Sequence, residues 1–206
     1  MRIDETLLDD AVRSGNAFLR LYRWDPPTLS VGRNQAITHV GLPIVRRPTG
    51  GQAVWHEHEV TYAVAAPIAC FGSLRTAYRS IHDRLADALR TLGVDAVLAP
   101  PIRPAGRPAS CFSVPVGGEI LVQGRKLVGS AQVRRGDAFL QHGSILLDGS
   151  QQRASPETRE TTLRAVLGRA VTFDEVTAAV VAKWVEGFRP SGRQAVRPSD
   201  IASLAP

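Results

Sequence analysis

The sequence predicts an α+β domain built on a mixed, mostly antiparallel sheet flanked by helices. Three observations carry this. Segments of strand character outnumber those of helical character. Residues 118–124, 126–134 and 138–147 follow one another across short turns, as a β-meander does. The helical stretches fall at the boundaries of strand groups instead of alternating with single strands.

Each element has its own justification. "IDETLLDDAVR" (3–13) carries apolar residues at helical spacing, with Gly15 as its stop. "AFLRLYRW" (17–24) alternates like a half-buried strand, "DPP" breaks it, and "TLSVG" (28–32) is a short strand. "PIVRRPTGGQAVWH" (43–56) reads as strand, tight glycine turn, strand, and "EVTYAVAAP" (59–67) is strongly β-prone. The clearest helix is 74–93, where Ala77, Ile81, Leu85, Ala88 and Leu89 share a face and Gly93 ends it. A strand at 95–100 and a proline-rich loop precede the meander. Ser155-Pro156 reads as a helix start, with serine as cap and proline at the first turn. A last helix covers about residues 172–187, and the Pro/Ser/Gly-rich tail 190–206 is loosely held, leaving one domain over 1–189.

Composition narrows the function. The chain has 206 residues, 44% of them hydrophobic, enough for one core. No apolar run approaches the roughly 20 residues that cross a bilayer, and the acidic start lacks the basic and apolar regions of a signal peptide, so a cytoplasmic protein without membrane attachment is expected. Two cysteines make no disulfide framework. The net charge of +6 favours acidic partners; no recognition helix or aromatic stacking strip points to nucleic acid. Of 25 basic residues only Lys126 and Lys183 are lysines. Because a partly buried lysine can exchange protons where arginine cannot, Lys126 is either a chemical group or a compositional remnant.

Three stretches carry candidate chemistry. In "RRPTGGQAVWHEHEVTY" (46–62), Gly50 and Gly51 let backbone N–H groups approach a phosphate or carbonyl oxygen, and Arg46 and Arg47 could add charge-assisted bonds; the alternative is a hairpin turn between surface arginines. His56 and His58 have metal-ligand chemistry but no third ligand, so no metal is assigned. In "SCFSVPVGGEILVQGRKLVGSAQ" (110–132), Cys111 and Lys126 pair a potential thiolate with an ammonium able to favour it; alternatively Cys111 is a small buried apolar residue. Cys70, with no lysine nearby in sequence, reads as such a buried residue. In "LQHGSILLD" (140–148), Gly143 suggests a bulge or close backbone approach by a ligand, and His142 either orients a substrate or fills a polar slot in the core.

Taken together, "RRPTGGQAVWHEHEVTYAV", "CFSVPVGGEILVQGRKLVGSAQVRR" and "LQHGSILL" resemble the lipoate/octanoate-transferring proteins, which share the biotin/lipoate protein ligase catalytic domain; "RWDPPTLSVGRNQ" and "IDETLL" also fit, so the resemblance spans roughly residues 2–190. It implies that catalytic-domain fold. Cys111, just ahead of the Gly-Arg-Lys strand, matches the cysteine-containing octanoyltransferases of the lipoate-ligase-like type. Glu57 stands where the family often has Asp.

The resemblance further implies an octanoyl group passing from octanoyl–acyl carrier protein, through a Cys111 thioester, to a lysine of a lipoyl-carrier protein (a glycine-cleavage H protein or a dehydrogenase lipoyl domain). Lys126 would favour the thiolate, hold the acyl carbonyl, or both. Arg47, Thr49, Gly50, Gly51, Val54, His56, Gly129, Ser130, Ala131, Gln132, His142 and Gly143 would bind substrate, with backbone amides near Gly50, Gly51 and Gly143 polarising the carbonyl and Val54 and Trp55 lining the acyl slot. No cofactor is required in this reading, and a monomer is expected. The alternatives are an ATP- and Mg²⁺-dependent lipoate/octanoate ligase, in which Lys126 contacts the activated carbonyl or phosphate and Cys111 is incidental, and a non-catalytic carrier-domain binder.

Overall fold

The computed structural model describes residues 1–37, 41–100, 112 and 117–187. Helix α1 (Arg2–Ser14) buries Asp4, Leu8 and Ala11 on one face and ends at Gly15 in the left-handed conformation, φ +71°. Strands β1 (Phe18–Tyr22), β2 (Thr28–Val31), β3 (Ile44–Arg46), β4 (Val54–His56) and β5 (Glu59–Pro67) follow, then a 3₁₀ turn (Ile68–Cys70) and helix α2 (Leu74–Thr91). Beyond these come β6 (Val97–Leu98), β7 (Ile120–Val122), β8 (Arg125–Arg135), β9 (Ala138–Leu146), the short α3 (Leu163–Leu167) and α4 (Phe173–Gly187). Among the described residues no helix is long and apolar enough to cross a membrane.

The strands form two sheets. Six run in the order β1-β5-β9-β8-β7-β6, every neighbour antiparallel, so the expected meander is present as β7-β8-β9. Three more run in the order β3-β2-β4, with β2 parallel to β3 and antiparallel to β4. The architecture is α+β, mixed and mostly antiparallel, as the sequence predicts.

The central strand β5 is buried along both faces. Val60, Tyr62, Val64 and Ala66 join a core with α2 (Ala77, Ile81, Leu85, Leu89), α4 (Val176, Val180) and Phe139 and Ile145 of β9. Ala63 and Ala65 face the other way, against Leu8 and Ala11 of α1 and Leu140. Each fully buried Leu or Ile in this arrangement contributes about 1.5–3 kcal/mol of transfer free energy. Helix α2 presents that face because Ser73 Oγ caps it, accepting from the Thr76 N–H at 3.1 Å, and its apolar residues recur every three or four positions.

Four expectations need correction. Residues 43–56 are not a hairpin: β2 lies between β3 and β4, and the intervening 47–53 chain wraps the end of β2. Arg47 N–H donates to Val31 O at 2.9 Å and Arg33 N–H to Thr49 O at 2.8 Å. At that crossing Gly32 touches Gly51, and a Cβ on Gly32 would collide with the Gly51 carbonyl. Ser155 starts no helix. Residues 159–161 run beside the exposed backbone edge at the start of β8, with a parallel bridge between Glu160 and Lys126, and α3 begins at Leu163 under a Thr162 cap. Cys70 is exposed, because the chain has left the sheet at Pro67 and Ile68 and Phe71 take the apolar side.

Gly143, finally, forms no bulge; β9 keeps register with both neighbours, pairing Gly143 with Tyr62 and Ser130. A backbone between two partner strands is committed to those ladders, so its amide does not face a ligand. The glycine is needed because the Gly129 carbonyl, Ser130 Oγ (2.5 Å) and Tyr62 Cε1 (2.8 Å) fill the space a Cβ would take. Gly143→Ala should therefore destabilise the fold by about 1–3 kcal/mol. Thermal unfolding should show a midpoint lower by roughly 3–10 °C, and an unchanged midpoint would contradict this packing.

Candidate functional site

Because side chains alternate along a strand, Thr61, Ser144, Gly129, Ala131 and His142 all face the side of the large sheet that looks toward the small one. With Val54 and His56 of β4 and Arg47 they line a pocket that also touches Ser130 and Gly143. Eight of the twelve substrate-binding candidates thus share one pocket: Arg47, Val54, His56, Gly129, Ser130, Ala131, His142 and Gly143.

The other four lie around it. Thr49 Oγ is 2.7 Å from His142 Nε2. Gly50 O accepts from Arg47 at 3.2 Å. Gly51, φ +90°, packs on Gly32. Gln132 faces the helix side, donating to Leu74 O and Gln141 Oε1, both at 3.2 Å. Trp55 also turns away, packing with Leu29, Val31 and Ala53, so Val54 alone of that pair lines the pocket.

The arginines are structural in this arrangement. Arg46 donates to the carbonyls of Gly32 (2.9 Å), Arg33 (3.1 Å) and Gln35 (2.8 Å). Arg47 is buried and donates to Ser30 O and Oγ and to the carbonyls of Gly50 and Gln52 at 2.6–3.2 Å. Its planar fork holds the glycine loop in shape.

Two carboxylate–imidazole–hydroxyl chains sit beneath the pocket. In the first, Asp4 accepts from Arg20 (2.6 Å) and Tyr22 (2.9 Å) and lies 3.3 Å from His142 Nδ1, while Thr49 Oγ meets Nε2. Burial alone would raise the Asp4 carboxyl, but the His142 hydrogen bond and the neighbouring positive charges outweigh it and hold it below the usual range. Burial pushes the His142 imidazole down despite Asp4, so the ring is neutral, with Nδ1–H donating to Asp4 and Nε2 accepting from Thr49. In the second chain, Glu59 is 2.7 Å from His56 Nδ1, and Ser30 Oγ is 2.5 Å from Nε2. Ser144 also donates to Glu59 at 2.9 Å, and Trp24 stacks on His56 at 4.3 Å. His58 is exposed and does not converge with His56; among the described residues no three His, Cys, Asp or Glu side chains gather as a metal site.

Lys126 is buried at the start of β8. Its Nζ lies 2.6 Å from Glu119 Oε1, each side chain 2% exposed, and 5.2 Å from the centroid of the Phe112 ring. A Cβ on Gly129 would overlap that ring at 2.8 Å and sit 3.4 Å from Lys126 Cε, so Gly129, itself on the pocket wall, leaves room for Phe112 and Lys126 behind it. Arg159 ties the segments together: its N–H donates to Phe112 O (3.2 Å) and its carbonyl accepts from Lys126 N–H (3.3 Å). Cys111, which precedes Phe112 in sequence, lies outside the described residues.

Sequence reasoning did not find Glu119, Asp4, Glu59, Ser30 or Phe112. Asp4 had a usable signal: it shares the buried helical face with Leu8 and Ala11, where an unpaired acid would be costly. Another cluster was also missed. On the helix side of the sheet, Ser130 Oγ lies 2.7 Å from the Tyr62 hydroxyl and 2.8 Å from His82 Nε2, and Gln141 donates to Tyr62 at 3.1 Å.

The match to the lipoyl protein ligase A/B catalytic domain covers residues 1–185. The chain belongs to that family. This lipoyl protein ligase A/B domain is 34% identical to octanoyltransferase LipM of Carboxydothermus hydrogenoformans, over 91% of this chain and 81% of that one. It is 37% identical to octanoyltransferase LipM of Kyrpidia tusciae, over 90% and 79%. Its fold matches the bi-partite lipoate protein ligase of Thermoplasma acidophilum, described together with its E2 lipoyl domain, at a TM-score of 0.63 and 20% identity, covering 96% of this chain and 83% of that one. That likeness bears on the fold alone.

The buried imidazole behind β8 gives the domain a pH signature. His82 is pushed down to about 3, chiefly by burial, with the Lys126 cation adding to the effect and a hydrogen bond to the Tyr78 backbone opposing it. The unfolded chain takes up a proton near pH 6.5 that the folded chain refuses until about pH 3. Stability from this group is therefore complete above pH 6.5 and declines as pH falls toward 3, by roughly 3–5 kcal/mol. Urea unfolding between pH 7.5 and 4 should show this slope, and His82→Gln should flatten it; identical slopes in both proteins would refute the assignment.

Proposed function

We propose that this chain is an octanoyltransferase of protein lipoylation that takes the octanoyl group from octanoyl–acyl carrier protein onto Cys111 and delivers it to a lysine of a lipoyl-carrier protein. The observation that supports this most strongly is the environment of Lys126: a buried ammonium beside Glu119, next to Gly129 of the pocket wall, against the residue that follows Cys111. The names of the relatives support octanoyl transfer.

In the first step the Cys111 thiolate attacks the thioester carbonyl. A carbon–sulfur bond forms to Cys111, the bond to the carrier's sulfur breaks, and the released thiolate takes a proton from water. In the second, a neutral lysine amine of the acceptor attacks the acyl-enzyme; the carbon–nitrogen bond forms, Cys111 leaves as thiolate, and the amine's proton passes to solvent. Lys126 offers positive charge to the thiolate and the developing oxyanion. Neither step consumes ATP or needs a metal. The net charge of +6 suits docking to acidic carriers.

The test is incubation with octanoyl–acyl carrier protein without ATP, followed by intact mass and then by addition of a lipoyl domain. The expected result is a hydroxylamine-labile octanoyl adduct that chases onto the lipoyl domain. Cys111→Ser should lower transfer by at least about a thousandfold. Modification of the lipoyl domain only with ATP and free octanoate would replace the transferase reading by a ligase, and carrier binding without any transfer would replace it by a binding module.

A further inference from the structure

We infer that Glu119 is a positioning residue whose carboxylate keeps Lys126 a fixed ammonium throughout the transfer, so that this lysine acts as standing charge and not as a group that takes up and returns the cysteine proton. The inference deepens the proposed function and rests on its placing Lys126 at the reacting centre.

The backbone sets Glu119 in place from two sides. Its carbonyl accepts from Ala99 N–H at 2.7 Å, and Gly118 N–H donates to Ala99 O at 2.8 Å. Immediately after it β7 pairs with β8, in a register that shifts between Ile120 and Leu121, so that Leu121 stands opposite Lys126. Clamping at Ala99 and pairing at Leu121 hold the acid beside the lysine, at 2.6 Å, with both side chains 2% exposed.

At that distance and burial, the protonation of Lys126 is tied to the charge of Glu119. Losing the proton would leave a buried carboxylate facing an uncharged amine in a site with almost no water, the costly state for a buried pair. The face of the Phe112 ring, 5.2 Å from Nζ, also favours a cation over a neutral amine. Both neighbours select the same protonation state, and neither has to move for the charge to be present when an oxyanion develops. A proton leaving the thiol therefore goes to solvent, and the ammonium stays as it was.

The composition makes the state of Lys126 directly readable, since Lys126 and Lys183 are the only lysines. In ¹⁵N-lysine-labelled protein, NMR of the ammonium groups at pH 7 should show a slowly exchanging Lys126 signal, assigned by its persistence in Lys183→Arg. That signal should be lost in Glu119→Gln and kept in Glu119→Asp. Single-turnover octanoylation should fall at least tenfold in Glu119→Gln, recover to within threefold in Glu119→Asp, and change less than twofold when Glu119→Gln is added to Lys126→Ala. Retention of the ammonium signal in Glu119→Gln, or an equal loss of rate with and without Lys126, overturns the inference. A parent protein that shows the ammonium signal and its dependence on Glu119, yet forms no octanoyl adduct, upholds the pairing and overturns the proposed function instead.

Discussion

The antiparallel ladder of β5, β9 and β8 is the constraint from which the site follows. A strand has two faces and a period of two, and along β5, β9 and the Lys126–Gly129 stretch of β8 both faces are largely buried, so residues there are committed either to the helix core or to the pocket side. Tyr62, Gln141 and Ser130 go one way; Thr61, His142, Ser144 and Gly129 go the other. A one-residue slip in register would exchange the two sets, placing Ile145 in the pocket and His142 in the aliphatic core. The closeness of Gly129, Ser130, Gly143 and Tyr62 helps exclude that slip, since only the observed register brings the two glycines to the places where a Cβ has no room.

Burial on both faces forces the polar groups into hydrogen-bonded chains. Asp4 and Glu59 are almost fully excluded from water, and each is matched by an imidazole that passes the hydrogen bond on to a hydroxyl. Each chain also ends on the glycine loop: Thr49 belongs to it, and Ser30 accepts from Arg47, which holds the carbonyls of Gly50 and Gln52. The first turn of α1, the end of β2 and the loop over the pocket are thereby joined through buried bonds whose loss would strand a charge, so the pocket wall is rigid because its supports cannot be broken singly at low cost.

Much of this was legible in the sequence, for physical reasons that differ by element. The meander and α2 could be read because their periodicity is local and their packing agrees with it. The residue types around the pocket came from motif order, and eight of the twelve candidates line one cavity. What could not be read is non-local. Nothing in 43–56 says that β2 inserts between its two strands, and nothing in Ser155-Pro156 says that the next residues will lie along an open edge of β8. Glu119 is seven residues before Lys126, a spacing with no meaning until a register shift in the β7–β8 pair sets one beside the other.

The division of labour between arginine and lysine has the same origin. Arg46 and Arg47 each satisfy several carbonyls, Arg47 through both terminal nitrogens of its guanidinium, with a charge that never leaves. Lys126 sits beside the Phe112 ring and Gly129, with a Glu119 carboxylate oxygen at 2.6 Å. In a chain that uses arginine almost everywhere else, pairing with Glu119 gives the lysine at this point the permanence of charge that arginine would otherwise have provided.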